Sequence, residues 1–131
     1  MLRKNMMQNK KHYSLLVSNL TEKLSDSKQV VRDATLECCA LVIVTFKQAP
    51  FLAHCTKSMQ HANWHVREGI LILIARCLIE SESSGLVIQN DFIEELCFCV
   101  KVEDKAVLQR MAIDNLALAL SLSKNHTDLS S

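Results

Sequence analysis

Apolar residues recur at steps of three and four along almost the whole chain, the period of a helix with one buried side. Tyr13, Leu16, Leu20 and Leu24 mark a first helix, stopped by Ser25-Asp26-Ser27. Val31, Ala34, Cys38, Leu41 and Val42 carry a second, and Leu36, Ala40 and Ile43 widen its apolar surface. Pro50 stands in the first turn of a third helix, where proline is best tolerated. That helix continues through Leu52, Cys55 and Met59 and ends near His61-Ala62-Asn63. Val66, Ile70, Leu73, Ile74, Cys77 and Leu78 predict a fourth, and Ser81-Glu82-Ser83-Ser84-Gly85 reads as a linker. A fifth has Phe92, Ile93, Leu96, Cys97 and Val100, and a sixth, from about Asp104, has Val107, Met111, Leu116 and Leu120.

These six segments pair into three hairpins, roughly 11–46, 49–80 and 89–122. Each hairpin carries a tight polar loop followed by a similar phrase: Asp26-Ser-Lys-Gln-Val-Val31-Arg32, Asn63-Trp-His-Val66-Arg67-Glu-Gly, and Glu103-Asp-Lys-Ala-Val107-Leu108. Val31 to Val66 is 35 residues and Val66 to Val107 is 41, the period of a two-helix repeat. Two amphipathic helices cannot enclose a core alone, so each hairpin must stack on the next. The expected fold class is therefore all-α, a solenoid of about three helical hairpins with no strand. The domain layout is a basic tail over residues 1–11, the repeats over 12–122, and a polar tail over 123–131.

Composition narrows the picture. Glycine and proline together number only 3 of 131 residues, against an average near 12%. Hairpin-rich β folds, doubly wound sheets and glycine-rich phosphate cradles all need more. Fifteen basic and 14 acidic residues leave a net charge of +1, which argues against a protein that coats nucleic acid. The longest apolar runs, Cys38–Val44 and Ile70–Ala75, are far too short to cross a bilayer.

The six cysteines sit in apolar surroundings such as Cys38-Cys39-Ala-Leu-Val and Leu96-Cys97-Phe-Cys99-Val. With no secretory leader in Met1-Leu-Arg-Lys-Asn-Met-Met7, reduced thiols in a cytoplasmic protein are the economical reading. As zinc ligands they are poorly spaced, because no C-x-x-C occurs. His61 and His65 share a helical spacing, with His54 and Cys55 upstream, but no third ligand joins them. No nucleophile elbow, HExxH or paired-carboxylate motif appears. The expectation is a non-enzymatic protein with no metal and no cofactor.

Asp26 six residues before Arg32, with Val31 between, matches the signature of HEAT repeats. More narrowly, Leu20-Thr-Glu-Lys-Leu-Ser-Asp26 through Arg32-Asp-Ala34, followed one unit later by Gln60-His-Ala-Asn-Trp-His-Val66-Arg67-Glu-Gly69, resembles the TOG domains of the CLASP family and the related crescerins. The resemblance covers about residues 12–122. Gln60 and Ala62 replace the lysines of that family's second loop, and Leu108 stands where the third arginine would fall. A complete TOG domain has six hairpins, so the likeness is to a half-length or divergent member.

The resemblance implies that the edge formed by the inter-helix loops binds αβ-tubulin and regulates microtubule dynamics, placing the protein at the cytoskeleton. The matching positions are Ser27, Lys28 and Gln29, then Asn63, Trp64, His65 and Arg67, then Asp104 and Lys105. Lys28, Lys105 and Arg67 would complement an acidic partner. Arg32 is expected to bridge to Asp26 and to a neighbouring repeat through charge-assisted hydrogen bonds that align the stack, and Arg67 to pair with Glu68 or with another repeat. Trp64 either caps the core or anchors an interface. The rival reading is a generic HEAT scaffold that takes a partner helix or peptide on its grooved face. A third is self-association through an exposed repeat end.

Overall fold

The computed structural model of the protein describes residues 15–46, 58–84 and 90–130, with side chains over 15–43, 58–80 and 90–123. The expected basic tail, Pro50, Leu52, His54, Cys55 and the close of the expected linker lie outside those residues. The described chain is all-helical. Helix α1 covers residues 15–23, α2 Gln29–Phe46, α3 Trp64–Ser84, α4 Asn90–Val102 and α5 Ala106–Ser130. Among the described residues there is no strand.

Two boundaries differ from the sequence reading. The Ser81–Ser84 stretch continues α3 instead of forming a linker, because serine and glutamate do not halt a helix that is already propagating. Helix α5 likewise runs through Ser130, across the polar end.

Packing is sequential. Helix α2 lies against α3, α3 against α5, and α5 against α4. The core is one cluster, with α3 at its centre: Val66, Ile70, Leu73, Ile74, Cys77 and Leu78 are all sealed from solvent. Val17 enters from α1 and Leu24 from the turn that follows it, Cys39 and Ile43 from α2, Phe92, Leu96 and Cys99 from α4, and Leu108, Ala112 and Ala119 from α5. Each large aliphatic group so buried contributes roughly 1.5–3 kcal/mol.

Gly69 has a packing role. A Cβ there would stand 2.9 Å from Leu24 Cδ1, so the missing side chain lets the end of α1 approach α3. The buried Asn115 is also accommodated, since its Nδ2 donates to the Leu71 carbonyl at 3.0 Å across α3 and α5.

Candidate functional site

Three loops are built alike. In each, a side chain accepts a hydrogen bond from the backbone N–H two residues on: Asp26 Oδ1 from Lys28 at 2.8 Å, His61 Nδ1 from Asn63 at 3.0 Å, and Glu103 Oε2 from Lys105 at 3.1 Å. The first helical bond then runs from Arg32 N–H to Lys28 C=O, from Arg67 to Asn63, and from Gln109 to Lys105. An aspartate, a histidine and a glutamate thus perform one task, holding the loop so that the next helix starts in register. Asn63 adds an N-cap, its Oδ1 accepting from His65 N–H at 2.9 Å.

This alignment corrects the register expected for the third loop. The loops recur at intervals of 35 and 42 residues, not 35 and 41. Leu108 therefore takes the place of Val66, and both are buried. Gln109, not Leu108, stands at the arginine position. Its Nε2 donates to the Val100 carbonyl at 2.9 Å, tying α5 back to α4.

Arg32 bridges to Asp26 through the backbone and not through the carboxylate. Arg32 Nη1 donates to the backbone carbonyl of Asp26 at 2.7 Å, because the Asp26 carboxylate is turned to the Lys28 amide. Arg67 repeats this contact one unit later, with Nη1 donating to the carbonyls of His61 at 2.8 Å and Ala62 at 3.1 Å. It also reaches the third loop, where Nε and Nη2 donate to the two oxygens of Glu103 at 2.9 and 3.2 Å. Of the partners expected for Arg67, Glu68 is not the one bonded: the acid is Glu103, 36 residues on, in the loop before α5. Burial raises the pKa of Glu103, but hydrogen bonds from Arg67 and from the Lys105 amide outweigh it. The carboxyl is held below its ordinary 4.5.

The second and third loops meet at the surface. Trp64, 37% exposed, stacks on His65 with ring centroids 3.8 Å apart. Lys105 Nζ lies 4.8 Å over the Trp64 ring, a cation–π contact. His65 Nδ1 beneath is closed off from water without a hydrogen-bond partner. Asp104 is exposed, 3.9 Å from Arg67 Nη2. A cleft of about 410 Å³ lies between these loops, lined by the buried Leu71, Cys99 and Ala112 together with Trp64, Arg67 and Lys105. Ser27, Lys28 and Gln29 are exposed on the first loop. That layer joins the second through Glu22, whose Oε1 stands 3.5 Å from His61 Nε2.

Sequence reasoning missed Glu103 as the partner of Arg67. Its one signal was position, two residues before Lys105 as Asp26 is two before Lys28. The loop ends of the helices also carry Val30, Val102 and Val107, all exposed. The arrangement therefore offers a partner an aromatic ring, a lysine on it, and apolar positions along one edge. Among the described residues no group of three or more His, Cys, Asp or Glu is placed to hold a metal ion. No described helix is long and apolar enough to cross a membrane. Compared with protein-family models, curated proteins and solved structures, the chain matches none of them.

Proposed function

We propose that the protein is a non-enzymatic binding module, an α-solenoid of HEAT-type hairpins whose loop edge engages αβ-tubulin in the manner of TOG domains and so acts on microtubule dynamics at the cytoskeleton. The observation that carries this reading is the Trp64–Lys105 pair, which two successive loops build together and present to solvent. Tryptophan is a favoured interface anchor, and lysine at a rim steers an acidic partner. Lys28, exposed in the equivalent loop one layer away, extends the positive edge. Arg67 belongs to the support of that edge, since its guanidinium is engaged by Glu103 and two loop carbonyls.

The test is a titration of labelled tubulin against wild type and the triple variant Lys28→Glu, Trp64→Ala, Lys105→Glu, with melting curves beside it. Loss of binding by a folded variant, and wild-type affinity that falls with salt, are the expected results. Trp64→Phe separates loss of the anchor from loss of the fold. Equal affinity of both proteins, or no binding by the wild type, overturns the reading.

A partner helix on the broad face is the second reading. It is favoured by Leu41 on α2 and by Ile72 and Ile79, one heptad apart on α3, all exposed. Ile72→Lys with Ile79→Lys would then remove binding that the loop variant leaves intact.

A further inference from the structure

The second loop differs from its two neighbours in one respect: its acceptor is an imidazole, where theirs are carboxylates. Between about pH 8 and about pH 5 a carboxylate remains a charged acceptor, whereas histidine gains a proton. The His61 ring is bonded on two sides. Its Nδ1 accepts from Asn63 N–H at 3.0 Å, and its Nε2 stands 3.5 Å from Glu22 Oε1, near the end of α1. These contacts fix the neutral tautomer, with the ring proton on Nε2 and directed at Glu22. A second proton, taken from water, has one place to go: Nδ1, the atom that Asn63 uses. Both ring nitrogens are then donors, so turning the ring over restores no acceptor. Across the cleft, Arg67 grips the His61 carbonyl and is itself held by Glu103. Asp104 and Lys105 line the same cleft, and the Cys99 thiol, pushed up to about 11 by burial, stays neutral in this range. Glu22 is the acid set against the ring.

We infer that His61 is a pH-operated latch: protonation releases the second loop at Asn63 while it binds the ring more firmly to Glu22. The neutral ring serves both partners at once. The charged ring keeps Glu22, now as an ion pair, and opposes the Asn63 N–H with a donor. Asn63 caps α3 through His65 N–H, and Trp64 is the first residue of that helix. Release at Asn63 therefore acts where the Trp64–Lys105 pair is built. Arg67 still holds the carbonyls of His61 and Ala62, so the change is confined to the Asn63–Trp64 step and the layer stays closed. The first and third loops, held by Asp26 and Glu103, do not follow. The latch belongs to the loop itself and operates whatever partner the edge takes.

The test is proton–nitrogen NMR of the full chain from about pH 8 to about pH 5, following the amides of Lys28, Asn63 and Lys105. These are the three equivalent donors, so the first and third serve as internal controls. The Asn63 amide proton is expected to move upfield in a single transition. Its protection from solvent exchange, corrected for the intrinsic rate at each pH, should fall roughly tenfold, about the worth of one hydrogen bond. Lys28 and Lys105 should keep theirs. His61→Asn supplies an acceptor that does not titrate and should hold the loop closed throughout. His61→Asp, the acceptor of the first loop, does the same should the asparagine variant fail to fold. Glu22→Gln should move the transition to lower pH, because the charged ring loses its partner. Unchanged protection at Asn63, or an unmoved midpoint in Glu22→Gln, overturns the inference. A transition that persists in His61→Asn belongs to His65, whose ring stacks on Trp64, and overturns it too.

Discussion

Arg67, in the first turn of α3, holds both carboxylate oxygens of Glu103, in the loop between α4 and α5, at 2.9 and 3.2 Å. The pair spans 36 residues of sequence and is largely sheltered, with side chains 17% and 7% exposed. It closes one layer of helices onto the next at the edge where Trp64 and Lys105 meet.

Arg67 and Arg32 sit at equivalent positions and should differ sharply on truncation. Arg67→Ala leaves the sheltered Glu103 carboxylate unpaired and should cost about 3 kcal/mol. Arg32→Ala removes a hydrogen bond to the Asp26 carbonyl and should cost about 1 kcal/mol. Urea denaturation of the two variants checks the order. Equal losses would mean that the Glu103 contact contributes little.

Acid should loosen the same junction. The folded-state pKa of Glu103 lies below its ordinary 4.5, so its contribution is present above the unfolded value and is lost as pH falls through the folded one. Thermal melts from pH 7 downward should show Glu103→Gln less stable than wild type near neutrality, with the gap between the two closing as pH falls below 4.5. A constant gap at every pH would remove the ion pair from the explanation.

Gly69→Ala tests the approach of α1 to α3. Alanine favours a helix by about 1 kcal/mol over glycine, but its Cβ would press on Leu24 Cδ1, and overpacking costs about 1–3 kcal/mol. The expected net effect is a loss of about 1 kcal/mol in wild type and a gain in a Leu24→Ala background. That reversal, read from denaturation midpoints, isolates the contact.

Thiol reactivity should divide the described cysteines. Cys38 and Cys97 are exposed. Burial, the largest cause, pushes Cys39 and Cys99 up to about 11 and Cys77 up to about 12. Thiolates are the reactive form. Iodoacetamide followed by peptide mass spectrometry should therefore mark Cys38 and Cys97 first, and the other three only once urea unfolds the chain.

Much of the helical layout was legible because it rests on local periodicity. The apolar steps through Val66, Ile70, Leu73 and Leu78 predict α3 and its buried side, and the repeated phrases locate the loops. The register of the third loop was not legible. Val107 and Leu108 are both apolar, so either could match Val66, and only the folded hydrogen bonds choose Leu108. The Arg67–Glu103 pair was hidden for a related reason. Chain distance says nothing about which loops the stacking brings together, and Glu68, the nearer acid, competes for the assignment on paper. Asp26 misled because an aspartate satisfies its own loop as readily as a neighbouring arginine.

The sequential packing of α2, α3 and α5 also orders the molecule in time. Helix α3 is flanked on two sides, and its residues from Val66 to Leu78 form the largest sealed block in the cluster. A layer with neighbours on both sides opens only when one of them has left, whereas an outer layer opens alone. Amide protons of α3 should therefore be among the last to exchange with deuterated water, and those of α2, which packs against α3 alone among the described helices from α2 to α5, should exchange earlier. The edge bearing Trp64 rises from the first turn of that slow helix, so its floor persists through the fluctuations that loosen either end.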